Sequence, residues 1–321
     1  MTPPRAVFTA LLGPYEDLSE QPVAKDTDIP FICFTDRDDL ESETWTVVRV
    51  DLPFPFDLVR SQRFFKILGH PTLDEYDETL YIDNSVRLEA TPDAILDYWL
   101  DGADFALHQH SFRDRVIDEF DEIVRLNYDD AGRVNEQLLH YAEAYPDVLL
   151  ERPYWNGMLA RRRTPEVAAT MRIWYDHVLR YSRRDQLSAN VAFSVGPVMP
   201  RTVGDDNNTS EWHTWPVDVK RRATLTLATG RRTGPLLAEV ARLEREVSAE
   251  RRRADDLVAG AEEAAERARV AELELAEAEA RLVRAEERFA GLISSFSWRA
   301  SKPIRVVGAR VRRLRSGGST D

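Results

Sequence analysis

The chain has 321 residues and a net charge of −13, so it lacks the basic surface that phosphate neutralisation requires, and general nucleic-acid binding is excluded from the expectations. A hydrophobic share of 43% beside 31% charged residues is that of a soluble protein with one sizeable core and an appendage, the charge pointing to a long solvated helix. The single cysteine, Cys33 in "FICF", reads as a small core residue, and with no export-type pattern and no apolar run near about 18 residues the expected location is cytoplasmic.

In chain order, "RAVFTALL" reads as a strand closed by a Gly13-Pro14 turn, "IPFICFTD" as a second strand ending at Asp36, and "WTVVRVDL" as a third. "SQRFFKILGHPTL" has helical spacing and "TLYIDNS" reads as a fourth strand. "TPDAILDYWLDG" is a helix with Thr91 as N-cap, Pro92 at its first position and Gly102 behind it, and "ADFALHQH" is a fifth strand. Strands alternating with helices predict an α/β sheet with ligands gathered at the strand ends.

Several polar groups fall at those ends: Thr9 to Gly13, Asp36, Asp83 with Asn84 and Ser85, and His108 to His110. A carboxylate where a buried strand runs out can hold a hard divalent cation against phosphates, which selects Asp83 as the metal ligand; "DNS" also suits an Asx turn, and Asp36 a helix cap. "RSQRFFK" spaces Arg60, Arg63 and Lys66 by three, a stripe that would neutralise a diphosphate if it faces the cleft and would be a solvated surface if it does not. Downstream, "HQHSFRD" and "YWNGMLARR" supply His110, Arg113 and Asn156 as groups for an acceptor or sugar; the histidine pair lacks the further ligands of a zinc site. In "RRDQLS", Arg184 can hold a phosphate while Asp185 and Gln186 can hold sugar hydroxyls.

Near "ATGRRTGPLL" the composition changes to Ala, Glu, Arg and Leu. From Leu236 to Phe296 positions spaced alternately by four and three are all Leu, Val, Ala or Phe except Glu250, a heptad seam that predicts a self-associating coiled coil; a lone helix supported by Glu and Arg pairs is the other reading. The segment 297–321 interleaves arginines with Trp298, Ile304, Val307 and Leu314, as in an amphipathic segment for an anionic membrane surface. The expected organisation is thus a domain over 1–230, a coil over 236–296 and a basic tail over 297–321.

Taken in order, "VFTALLGPYEDL", "FICFTD", "RSQRFFKILGH", "YIDNSVRL", "HSFRD" and "YSRRDQLS" resemble the glycosyltransferase-like domain once catalogued as domain of unknown function 616, whose plant members are described as hexosyltransferases of mucilage and wall polysaccharide synthesis. The resemblance implies a GT-A-like, Rossmann-type mixed sheet flanked by helices, binding a nucleoside diphosphate sugar with Mn2+ or Mg2+. Asp83 matches the Asp of an Asp-x-Asp-type element, with Ser85 in place of the second carboxylate. Thr9, Gly13, Asp36, Arg60, Arg63, Lys66, Asn84, Ser85 and Arg184 are then expected around the nucleotide sugar, and Asp185 and Gln186 at the reacting sugar. His213 in "EWHTWP" falls where some such enzymes place a late metal ligand. The tail is similar to endings of bacterial glycosyltransferases that build surface polysaccharides. It would bring a cytoplasmic enzyme to the inner face of the membrane and to a glycan or lipid-linked acceptor. The alternatives are a non-catalytic, degenerate transferase scaffolding partners through its coil, and a metal-dependent phosphoryl hydrolase using Asp36 and Asp83.

Overall fold

The computed structural model describes residues 3–204, 206–221, 234–295 and Ala300. Contacts divide the chain into two units, Met1–Arg231 and Arg232–Asp321.

The first unit is built on a mixed sheet. Strands β1 (Arg5–Ala10), β2 (Phe31–Thr35), β3 (Thr46–Arg49) and β4 (Glu78–Ile82) pair in parallel in the order β3-β2-β1-β4. Every residue of β1, β2 and β4 is buried, as near-continuous apolar strands covered on both faces must be. The sheet continues from β4 through β7 (Tyr154–Arg162), β6 (Phe105–Gln109) and β8 (Arg201–Val203). Strand β7 is antiparallel to both of its neighbours. A two-stranded ribbon, β5 (Arg87–Leu88) with β9 (His213–Thr214), stands apart.

Alternation along the strands sorts the core into two faces. Phe8, Phe34, Tyr81, Leu107 and Leu159 meet α1 (Leu58–Leu68), α5 (Pro165–Arg180) and α6 (Gln186–Val195) on one side. On the other, Val7, Cys33, Leu80, Ile82 and Met158 pack with Ile95, Leu96 and Trp99 of α2 (Pro92–Trp99). The Asp57 side chain caps α1 by accepting from the Arg60 amide, and Gly69 ends it at a φ of +82°. Between β6 and β7 the chain makes an excursion through α3 (Val116–Arg125) and α4 (Ala131–Ala144), which form a third apolar cluster with Leu187 and Val191 of α6.

The expected strands and the α1 and α2 helices are present with shifted ends, α1 starting at Leu58 and β4 at Glu78, ahead of the expected starts at Ser61 and Thr79. Thr91 stands at the N-cap of α2, though its side chain makes no capping bond. The strand β7 and the helices α3 and α4 were not expected: "YWNGMLARR" alternates poorly because both of its faces are buried.

The second unit is a helix, α7 (Gly234–Ser294), of 61 residues. Leu243, Val247, Leu257, Leu275, Leu282, Phe289 and Leu292 of the heptad seam are exposed along it. Ion pairs such as Arg253–Glu250 and Arg269–Glu266 join neighbouring turns. The basic tail read over 297–321 lies outside the described residues, Ala300 apart.

Phe8 is fully buried with its ring 5.3 Å from that of Tyr81 and 6.2 Å from that of Phe34. Phe8→Ala is expected to lower the stability of the first unit by about 4 kcal/mol in urea denaturation; a loss below about 1 kcal/mol would show that this face of the sheet is not where stability resides.

Candidate active site

A cavity of about 680 Å³ opens where the parallel strands end. Ala10 at the end of β1 with Leu12 beyond it, Asp83 to Ser85 after β4, and Trp155 to Gly157 at the start of the reversed β7 form its sheet side. Gln62, Arg63 and Lys66 of α1 and Arg183 to Gln186 at the head of α6 face them.

The deepest feature is a cluster of charges. Asp185, 1% exposed, pairs through one oxygen with Arg63 Nε at 2.8 Å and through the other with Lys66 Nζ at 2.8 Å. Asn156 Nδ2 approaches at 3.5 Å, and the Asp185 carbonyl accepts from Trp174 Nε1 at 2.9 Å. Burial pushes the Asp185 carboxyl up, but Arg63, Lys66 and Arg184 together outweigh it and hold it well below the ordinary carboxylate range. Lys66 also reaches Asp83 Oδ1 at 3.4 Å, and the same oxygen accepts from the Tyr81 hydroxyl at 2.5 Å. Gln62 Nε2 donates to that hydroxyl at 2.6 Å and its oxygen accepts from Arg63, closing the network. Tyr81 and Asp83 lie two residues apart and so share one face of the sheet, the face that α1 covers. Burial, then Asp83, raises the Tyr81 phenol, which stays a donor.

Around this floor the walls carry further pairs. Glu16 holds Arg221 at 2.6 Å, and Arg113 bridges Glu119 at 3.3 Å and Glu122 at 2.9 Å. Burial raises the Glu119 carboxyl and pushes the Tyr15 phenol up to about 12, while burial with Arg113 and Arg152 brings the His110 imidazole down to about 4, so it is neutral near pH 7. His110 Nδ1 accepts from the Phe112 amide, leaving its proton on Nε2. Arg184 lies 5.0 Å over the Tyr128 ring and donates to Gln186 Oε1 at 3.1 Å, with burial and Arg63 lowering its basicity. Phe56, Phe112, Leu126 and Tyr128 stand exposed at the mouth.

Of the residues expected at the site, Arg63, Lys66, Asp83, Asn84, Ser85, His110, Arg113, Asn156, Arg184, Asp185 and Gln186 line this cavity, and Thr9, Gly13, Asp36, Arg60 and His213 do not. Thr9 lies inside β1, fully buried. Gly13, at a φ of +71°, donates its amide to Asp36 Oδ1 at 2.7 Å, so this pair fixes the turn after β1. Three-residue steps on a helix drift backwards by about 60° each, so Arg60 lies a third of a turn from Lys66. Its guanidinium instead binds Asp57 and the carbonyls of Val178 and Tyr181. Tyr15, Glu16, Gln62, Glu119, Tyr128, Trp215 and Arg221 were not foreseen; for Gln62 the helical spacing to Lys66 was a usable signal.

The group expected from the family's resemblance, a divalent cation, meets few open donors here. Asn84 Oδ1 accepts from the Ser19 amide, and Asn84 Nδ2 donates to Glu16 and to the Asp17 carbonyl. Ser85 Oγ accepts from Trp215 Nε1 at 3.1 Å. His213, fully buried and stacked on Trp155, has its ring nitrogens against Ser210 Oγ and the Asn207 carbonyl. That leaves Asp83, with its first oxygen already bound, and among the described residues no three His, Cys, Asp or Glu side chains group as metal ligands.

A mixed sheet of Rossmann type, with a polar cavity at the ends of its parallel strands and a reversed strand beside them, defines a GT-A-like α/β protein. Residues 34–196, just over half of the chain, match the TOD1/MUCI70 glycosyltransferase-like domain, and the chain belongs to that family. No curated protein matches the sequence. Similar solved structures include mouse xyloside xylosyltransferase 1 in its apo form, at 9% identity over 62% of this chain and 84% of that one, with a TM-score of 0.38. Core-mannan synthase A of Aspergillus fumigatus, in a Mn/GDP form, is similar at 10% identity over 60% and 70% of the two chains, TM-score 0.37. The mannosyltransferase Ktr4p of S. cerevisiae in complex with GDP follows at 12% identity over 59% and 66%, TM-score 0.35.

Because the folded Asp185 carboxyl titrates below its unfolded value of about 3.9, its ion pairs contribute fully above that pH and are lost as pH falls through the lower folded value. Asp185→Asn leaves Arg63 without its carboxylate and Lys66 with Asp83 alone, and is expected to cost about 3 kcal/mol at neutral pH in urea denaturation. Below about pH 4 its stability should fall less steeply than that of the natural chain; parallel acid curves would show that another carboxylate governs acid unfolding.

Proposed function

We propose that this protein transfers a hexose from a nucleoside diphosphate sugar to a glycan or lipid-linked acceptor. The observation that carries the reading is the cation cluster of Arg63, Lys66 and Arg184 at the strand-end cavity of a glycosyltransferase-like domain. Preorganised cations stabilise the negative charge that grows on a departing diphosphate, and they do so best where water is excluded. Asp185 is a positioning residue in this scheme. Held anionic and engaged by both neighbouring cations, it has no appetite for a proton, so it aims Arg63 and Lys66 rather than acting as the base. Gln186 leaves its amide nitrogen for a sugar hydroxyl while its oxygen receives Arg184. The exposed rings of Phe112 and Tyr128 at the mouth offer flat apolar faces on which an acceptor sugar can stack.

Phosphoryl hydrolysis through Asp36 and Asp83 fits less well, since Asp36 is bound to the Gly13 turn and does not line the cavity. For the second unit, the exposed seam of α7 supports self-association through a coiled coil, the simplest form being a parallel dimer. Cytoplasmic placement, with the tail at the inner face of the membrane in surface polysaccharide synthesis, completes the reading from sequence. No helix among the described residues is long and apolar enough to cross a membrane.

Thermal unfolding against a panel of nucleotide sugars tests the donor. At about a hundred times its Kd a ligand of the native state adds about 2.7 kcal/mol, which corresponds to a rise of roughly 5–10 °C. Lys66→Ala is expected to abolish the rise, and a panel without any shift would refute the donor reading. For the coil, Leu275→Asp with Leu282→Asp should convert a dimer to a monomer in sedimentation equilibrium; equal masses for the natural and altered chains would refute self-association.

A further inference from the structure

We propose that the diphosphate is recognised in this cavity without a divalent cation, Arg184 supplying the free positive charge and Arg63 and Lys66 completing the clamp. The proposal rests on the nucleotide-sugar reading and narrows it to a mode of binding.

Three observations carry it. The side chains that follow Asp83 are committed to the protein itself: Asn84 ties the loop before Ser19 through three hydrogen bonds, and Ser85 accepts from Trp215. A cation bound to Asp83 would therefore meet one carboxylate oxygen that is not already hydrogen-bonded, with Asn84 and Ser85 engaged elsewhere, and among the described residues no group of three His, Cys, Asp or Glu side chains completes the ligand set that a divalent ion holds. The second observation is Lys66. Its ammonium, 1% exposed, stands 3.4 Å from Asp83 Oδ1 and 2.8 Å from Asp185 Oδ2, so a positive charge already occupies the ground between the two carboxylates. A divalent ion on the remaining Asp83 oxygen would meet that ammonium in a poorly screened site.

Arg184 is the third. Its guanidinium lines the cavity, lies over the Tyr128 ring and makes a hydrogen bond to Gln186, while its Nε is buried without a partner. The other cavity arginines are matched by carboxylates: Arg63 by Asp185, Arg113 by Glu119 and Glu122, Arg183 by Asp57 and Asp129, and Arg221 by Glu16. A buried guanidinium short of acceptors is stable when an anion arrives, and a phosphate offers the planar, bidentate match that guanidinium prefers. Asn156 Oδ1, buried and likewise without a partner, provides an acceptor for a donor-sugar hydroxyl on the same floor.

Isothermal titration of the full chain with UDP, GDP, ADP, CDP and TDP, each in EDTA and in Mn2+, tests the clamp. The expected result is one nucleoside diphosphate that binds in EDTA with a Kd within about threefold of its value in Mn2+. In Asp83→Asn the Kd in EDTA and the Kd in Mn2+ should still agree within the same factor, whereas Arg184→Ala should raise the Kd about tenfold or more, with Arg184→Lys recovering part of the loss. Thermal unfolding of the unliganded variants, unchanged from the natural chain, shows that they fold. Binding that appears only with Mn2+ and disappears in Asp83→Asn overturns the clamp and leaves the donor reading standing. Absence of binding by all five diphosphates in both conditions overturns the donor reading and the clamp together.

Discussion

The carboxylate of Asp185, closed in between Arg63 and Lys66, is the junction on which the site is assembled. It stands at the head of α6, its backbone carbonyl is fixed by Trp174 of α5, and its partners both come from α1. Three helices that pack on one face of the sheet are therefore registered to each other by one buried charge. Through Lys66 the same network reaches Asp83, and through Tyr81 it is anchored in the core. An isolated carboxylate at that depth would be neutral; two cations keep it charged, and it in turn keeps them in place.

The sheet explains why the cations can gather there. The parallel strands deliver the end of β4 to the cavity, and the reversed β7 enters it at its beginning, so Asn156 and Asp83 become neighbours across a single strand pair although 73 residues of sequence separate them. The Asp83 amide donates to the Gly157 carbonyl, which locks the two stretches together at the cavity edge. Such a meeting requires a strand of opposite sense in the middle of the sheet, and the excursion through α3 and α4 gives the chain the length to return.

Much of this was legible in the residues. Continuous apolar runs marked β1, β2 and β4, and the pattern of polar groups after them located the edge where the cavity opens. Arg63, Lys66, Arg184 and Asp185 were found as types of group suited to phosphate and sugar, and Asp83 as a metal ligand. Their mutual arrangement was not readable, because a three-residue spacing leaves open which of Arg60, Arg63 and Lys66 turns inward, and only tertiary packing decides. Nor were the partners of Asp36 and Asp83 readable: both follow buried strands, but one meets a glycine amide and the other a lysine. Strand β7 was missed because burial on both faces erases the alternation that marks a half-exposed strand.

The third apolar cluster gathers Val116, Phe120, Val134 and Tyr141 around Leu187 and Val191 of α6. Helix α6 thus carries two loads, with its other side, Ala189, Ala192 and Phe193, set in the main core. The wall that bears Phe112, Glu119 and Tyr128 is hung on the same rod that begins with Asp185. A tilt of that rod would move the mouth of the cavity together with Asp185, so the width of the entrance and the hold of Asp185 on Arg63 and Lys66 are mechanically geared to each other.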